Sequence, residues 1–150
     1  MSDPYWLPVL RACAVECERQ EAYSLQDAVN MVTAYQYALA VSTTQPRVNE
    51  KVIKALAIRV TGKPHFKDYR CTPVTFSNGT VIGADTITTS MQRLVEHVPT
   101  TGDYDVVIEW IRAFLKIHPF EDGNGRIAFI LQNWLLSSWN APQPLHRFEW

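Results

Sequence analysis

The chain has no surplus of charge: 14 lysines and arginines stand against 15 aspartates and glutamates, a formal net charge of −1 over 150 residues. A surface so balanced has no long-range field to gather nucleic acid or an anionic membrane, and neither is expected as a partner. Cysteine is scarce. Cys13, Cys17 and Cys71 are an odd number and cannot all pair, and the first two stand four apart, as neighbours on one helix face do. Reduced, structural thiols in a cytoplasm fit this usage, and a lone C-x-x-x-C lacks the further ligands of a metal site. Long hydrophobic runs are missing too. The opening MSDPYWLPVLRACAVECERQ has no basic leader and is interrupted by Asp3, Pro4 and Glu16, so it reads neither as a signal peptide nor as a bilayer span. There is no internal repeat and no low-complexity tract.

What is there is 47% hydrophobic residue, enough for one globular domain over 1–150 with a substantial core. The recurring period is helical. Apolar residues keep the i, i+3, i+4 rhythm from Leu25 to Val41, with Ser24 placed as an N-cap. Further helices are expected over 49–60, closed by Gly62-Lys63-Pro64, then over 86–97, 105–117 and 126–138. The fourth, DVVIEWIRAFLKI, is apolar over most of its surface, which predicts a central helix. The tail APQPLHRFEW is broken by proline and predicts an irregular strap. His65, His97 and His146 read as surface or capping histidines, and Trp110, Phe114, Trp134 and Trp139 as core.

One segment departs from the helical pattern. TPVTFSNGTVIG flanks Asn78-Gly79 with β-branched and aromatic residues, which predicts a β-hairpin over 73–83 turning on a two-residue loop. A lone hairpin is marginal in water and exposes unpaired edges. It is either a plain connector or a place where an extended peptide adds as a strand.

The densest chemistry lies in HPFEDGNGRIAF, His118 to Phe129. GNGRIA formally fits a dinucleotide-binding fingerprint, but that motif follows a strand, and a helix precedes it here. No Gly-Lys-Ser/Thr follows for a phosphate loop of the Walker type, and Arg126 falls where a calcium loop needs a ligand or a neutral residue. A glycine-rich turn opening a helix at Arg126 still presents free N–H groups, a helix dipole and a guanidinium to an anion. Asp122 is a hard oxygen ligand suited to Mg²⁺ on phosphates, and His118 is suited to accept a proton from a hydroxyl. Phosphoryl or nucleotidyl transfer fits these pieces; a capping histidine, solvated loop carboxylates and a tight glycine turn fit them as well.

HPFEDGNGR resembles the signature of the Fic family, H-x-F-x-D/E-G-N-G-R with a second arginine three positions on. The resemblance extends over about 48–140, through DYR, the hairpin and the helix before His118. It implies an all-α bundle of Fic type with one β-hairpin, the flap, and transfer of AMP or a related group from ATP or another nucleotide donor to a protein Ser, Thr or Tyr. On this implication His118 is the base, Asp122 holds Mg²⁺, Gly123, Asn124 and Gly125 form the anion hole, Arg126 steadies the leaving phosphates and Phe120 anchors the loop. The flap, Val74, Thr75, Phe76, Ser77, Asn78, Gly79, Thr80, Val81 and Ile82, docks the target protein. A toxin or effector role, in its own cytoplasm or after delivery to another cell, is one implied setting.

One position departs from the family pattern. The second arginine, which orients the γ-phosphate, is replaced by Phe129. That leaves weakened use of ATP, a different donor such as one for phosphoryl or phosphocholine transfer, or a non-catalytic adaptor; Arg70 and Lys67 are the nearby cations available to compensate. The family's inhibitory S/T-x-x-x-E/D-G/N segment is absent, so a constitutively open site or a separate inhibitory protein is expected.

Overall fold

The computed structural model describes residues 6–149; Asp3 and Pro4 lie outside them. The described residues form six α-helices, one 3₁₀ turn and one two-stranded hairpin, joined by loops. The all-α bundle with a single hairpin is therefore what the sequence folds into.

Helix α1 (Trp6–Arg19) buries Val9, Cys13, Glu16 and Cys17, one stripe along its length. The two cysteines do share that buried face; all three thiols are free, and Cys71 is exposed. Helix α2 (Leu25–Thr44) opens on a capping box, in which the Ser24 hydroxyl accepts from the Asp27 N–H at 3.0 Å and the Asp27 carboxylate accepts from the Ser24 N–H at 3.3 Å. Helix α3 (Glu50–Thr61) starts at Asn49, whose side chain accepts from the Val52 N–H at 2.9 Å, and stops at Gly62 in the left-handed region. A 3₁₀ turn, Pro64–Lys67, leads to the hairpin of β1 (Val74–Thr75) and β2 (Val81–Ile82). Helices α4 (Ile87–Glu96), α5 (Tyr104–Ile117) and α6 (Asn124–Leu135) complete the bundle.

The central helix is α6, not α5. Helix α5 buries Val107, Ile108, Trp110, Ile111 and Phe114 but leaves Val106 about half exposed. Helix α6 is buried from Arg126 to Trp134 without a break and packs on α1, α2, α3 and α5. Its two internal amides explain how a helix with Gln132 and Asn133 can occupy the middle. The carboxamide of Gln132 donates to Pro144 O at 2.9 Å and accepts from the His146 N–H at 2.9 Å. Asn133 donates to Gln143 O at 3.0 Å and accepts from the Gln143 N–H at 2.7 Å. These bonds satisfy groups that would otherwise be costly to bury. They also lash the irregular tail, as expected without helix or strand, along α6. The helix ends at Leu135, short of Ser138, because Ser137 turns left-handed at φ 54° and Ser138 bonds back to Asn133.

The hairpin turns differently from the expected two-residue loop. Val74 pairs with Ile82 and Thr75 with Val81. Beyond them the Phe76 N–H donates to Thr80 O at 2.8 Å, the Gly79 N–H to Phe76 O at 2.9 Å, and only Gly79 has positive φ, at 88°. This is a three-residue loop, Ser77 to Gly79, closed by glycine in the left-handed conformation. Asn78 takes no positive φ; its side chain instead accepts from the Thr80 N–H at 2.9 Å. Among the described residues no helix is long and apolar enough to cross a membrane.

Candidate active site

The loop between α5 and α6 is built from its ends inward. Helix α5 closes on His118, left-handed at φ 51°, with its N–H on Phe114 O at 3.1 Å. The carbonyls exposed there carry the negative end of the helix dipole, and Arg70 takes them. Its guanidinium, 5% exposed, donates to His118 O at 2.6 Å, Ile117 O at 3.3 Å and Thr72 O at 2.7 Å, and reaches Ile82 O at 3.3 Å. Arg70 therefore ties the end of α5 to the hairpin and is engaged with carbonyls rather than held ready for a phosphate. Lys67 does not line the cavity over His118.

Phe120 is buried, stacked on Phe66 at 6.2 Å and tilted against Tyr69 at 5.5 Å, so it does anchor the loop. The Asn124 side chain closes a ring with Phe120, accepting from its N–H at 3.1 Å and donating to its C=O at 2.7 Å. Asn124 thus offers an anion its backbone N–H alone. Helix α6 begins two residues earlier than expected, because Gly123 with φ 83° supplies its N-cap. A Cβ at position 123 would press on the Val60 and Thr61 methyls at 3.1 Å, so both backbone angle and space call for glycine. The N–H groups of Asn124, Gly125 and Arg126 accordingly fall in the first helical turn, where helix geometry provides no acceptor.

Arg126 is 4% exposed and points behind the loop. It donates to Val60 O at 3.0 Å and lies 3.2 Å from Asp122 Oδ2 and 3.7 Å from Asp27 Oδ1. Asp122 is well exposed, and its other oxygen accepts from the Gly123 N–H at 2.8 Å. Among the described residues no group of three potential ligands could hold a metal. A single exposed carboxylate beside the first-turn N–H groups of α6 nevertheless fits the way Mg²⁺ binds, through one or two carboxylates with water and substrate phosphates supplying the rest. Phe129 is fully buried, its ring 6.2 Å from that of Tyr35. Position 129 is part of the core, so the missing second arginine leaves no gap in the site.

His118 is half-buried and faces a cavity of about 540 Å³ that Gly125 also lines. Burial, with the Arg70 charge adding to it, holds the imidazole pKa below its ordinary value of 6.5, against the opposing pull of a hydrogen bond to Leu115 and the Asp122 carboxylate. A ring N–H on the Leu115 carbonyl leaves the other nitrogen as an acceptor in the neutral form. Phe76 of the hairpin sits edge-on to the ring at 5.2 Å. The thiols of α1 are no rival nucleophiles: burial pushes Cys13 up to about 12 and raises Cys17 as well.

Several residues at this cavity are not expected from the sequence to belong to the site. Glu16, Arg19 and Gln20 reach it from α1, and His146, Arg147 and Phe148 from the tail. His146, read as a surface histidine, accepts from or donates to the Tyr104 hydroxyl at 3.0 Å. The Gln20 carboxamide, held by Glu16 at 2.8 Å, lies so close to Gly125 that a Cβ there would collide with it. The site is thus partly covered by the chain's own N-terminal helix although no inhibitory motif is present. The residues of α1 and the turn after it lie about a hundred positions before the loop and those of the tail some twenty or more after it, and they carry no spacing that would mark them.

Residues 47–136, which hold α3 to α6, the hairpin and the whole loop, match the family model Fic/DOC family, and the chain belongs to that family. It is also similar to a Fido domain-containing protein of Dictyostelium discoideum, 42% identical over 57 residues that make up 37% of this chain and 40% of the relative. The chain matches well under two thirds of that relative's length.

Proposed function

We propose that this protein is a Fic-type transferase that moves AMP, or a related nucleotidyl group, from a nucleotide donor to a Ser, Thr or Tyr hydroxyl of a protein docked along the hairpin. The observation that supports it is the meeting, in one cavity, of a histidine kept neutral by burial with the first turn of α6 at Gly125. In this reading the free ring nitrogen of His118 takes the proton of the target hydroxyl. The hydroxyl oxygen bonds to the α-phosphorus, the bond to the β-phosphate breaks, and diphosphate leaves. The N–H groups of Asn124, Gly125 and Arg126 stabilise the charge that develops on the phosphoryl oxygens. Arg126, fixed by Val60, Asp27 and Asp122, adds positive charge behind the loop. Asp122 would hold Mg²⁺, which supplies neutralisation of the donor's phosphates when bound.

The hairpin register suits the docking role. With Phe76 and Thr80 bonded to each other, the next pair, Thr75 and Val81, is a non-bonded one whose N–H and C=O groups point away from the partner strand. Val81 is 62% exposed. An extended target segment can bond to either edge and lie across Phe76 toward His118.

Intact-mass measurement of candidate protein targets and of the protein itself, incubated with Mg²⁺ and ATP, should show additions of one AMP mass that His118→Ala reduces by about 10²- to 10⁴-fold. Additions of phosphoryl or phosphocholine mass would reassign the donor, and no addition with any donor would leave a binding protein.

A further inference from the structure

The family match stops at residue 136 and starts at 47, yet one side of the cavity over His118 comes from outside those limits. The end of α1 and the tail meet there and are joined to each other. Glu16 accepts from Arg19 at 2.8 Å, from the Gln20 carboxamide at 2.8 Å and from the Leu145 N–H at 3.0 Å, while Arg19 reaches Leu145 O at 3.4 Å. Glu16 is 2% exposed. Its carboxylate and the Arg19 guanidinium thus answer each other and add little net field to the cavity.

Arg147 differs. It lines the same cavity, is exposed, and has no hydrogen bond or ion pair among the described residues. Its backbone is not free to drift, because the preceding residue is pinned to Gln132 at 2.9 Å and to Tyr104 at 3.0 Å. Phe148 on its other side packs on His146 at 4.9 Å and takes the Arg112 guanidinium on its ring at 4.9 Å. An exposed charged head on a fixed stem therefore lines the cavity that Gly125 also lines. With Arg70 committed to carbonyls and position 129 in the core, Arg147 is the cation of this cavity left without a partner among the described residues.

Resting on the transferase reading above, we infer that the tail is the specificity wall of the donor site and that Arg147 binds the anionic distal part of the donor, the portion that leaves. The donor class follows from the charge. Nucleoside triphosphates place a diphosphate against Arg147, with a charge-assisted bond that is gained only if phosphates lie beyond the reacting one. A donor whose distal head is cationic, as in a choline-bearing diphosphate, meets like charge instead. The Gln20 carboxamide stands in the way and must swing aside, which a flexible side chain at the end of a helix can do.

Calorimetric titration of the full chain with ATP and with AMP, each with Mg²⁺, tests this in wild type, Arg147→Gln and Arg147→Lys. Arg147→Gln should weaken ATP about tenfold, the equivalent of about 1.4 kcal/mol, and AMP less than about twofold; Arg147→Lys should stay within about threefold of wild type for both, since a single charge-assisted contact survives in it. The thermal midpoints should coincide, because the side chain is exposed and has no bond among the described residues. Equal losses for ATP and AMP, or none for either, would overturn the role of Arg147 while leaving the transferase reading intact. Failure of wild type to bind either nucleotide would overturn the inference about Arg147 and remove ATP as the donor, leaving the mass measurement with other donors to decide the transferase reading.

Discussion

His118 does two jobs that usually conflict: it ends a helix in a left-handed turn, and in the proposed reaction it accepts a proton. Burial and the Arg70 charge both lower its pKa and so favour the neutral ring, the form that can accept a proton. The direction has two consequences. Because the folded value lies below the unfolded one of about 6.5, the stability this group contributes is complete above about pH 6.5 and is lost as pH falls through the folded value. For activity, the acid limb of the pH profile should have its midpoint below 6.5; a limb at or above 6.5 would show that the base is another group or is charged in the working state. Asp122 has a different test. Asp122→Ala should abolish the Mg²⁺ dependence of donor binding, read by titration with and without chelator. The loop should stay folded, because the carboxylate is exposed and only its Gly123 bond and Arg126 pairing are lost.

The hairpin is the element where local structure and proposed function can be separated. Proline at Thr75 removes an N–H that points away from β2, so the turn bonds at Phe76, Gly79 and Thr80 remain. Modification of protein targets should fall at least about tenfold, the effect of one or two lost strand bonds, while donor binding by calorimetry changes little. Parallel losses in both measurements would mean that the hairpin shapes the cavity, through Phe76 against His118, rather than docking a strand.

At the scale of the whole molecule, Phe129 decides what can be restored. The resemblance implies that an arginine at this position orients the γ-phosphate. In the folded chain the residue is in the core beside Tyr35, whose own hydroxyl donates to Trp139 O at 2.7 Å. Phe129→Arg should therefore cost roughly 3–5 kcal/mol, as an unpaired buried charge does, and lower the melting midpoint by about 6–20 °C. A variant as stable as wild type that had gained triphosphate preference would show that the position opens toward the donor.

Local chemistry made most elements legible. Ser24 and Asn49 mark helix starts through side chains that satisfy their own neighbours, Gly62 marks an end through an angle that other residues resist, and HPFEDGNGR carries the proposed base, carboxylate and anion turn in nine consecutive positions. Each of these signals acts within a few residues, so the sequence holds it entire. Three things were decided by packing alone. Helix α6 rather than α5 became the centre, because Gln132 and Asn133 found partners in a tail more than nine residues downstream. Arg70 became the tie between α5 and the hairpin, a role set by carbonyls up to 48 positions away. The wall formed by Glu16, Gln20 and Arg147 brings together residues from opposite ends of the chain. No periodicity or motif links such positions, and what joins them is the geometry by which a short helix and an irregular strap cover one face of a buried helix.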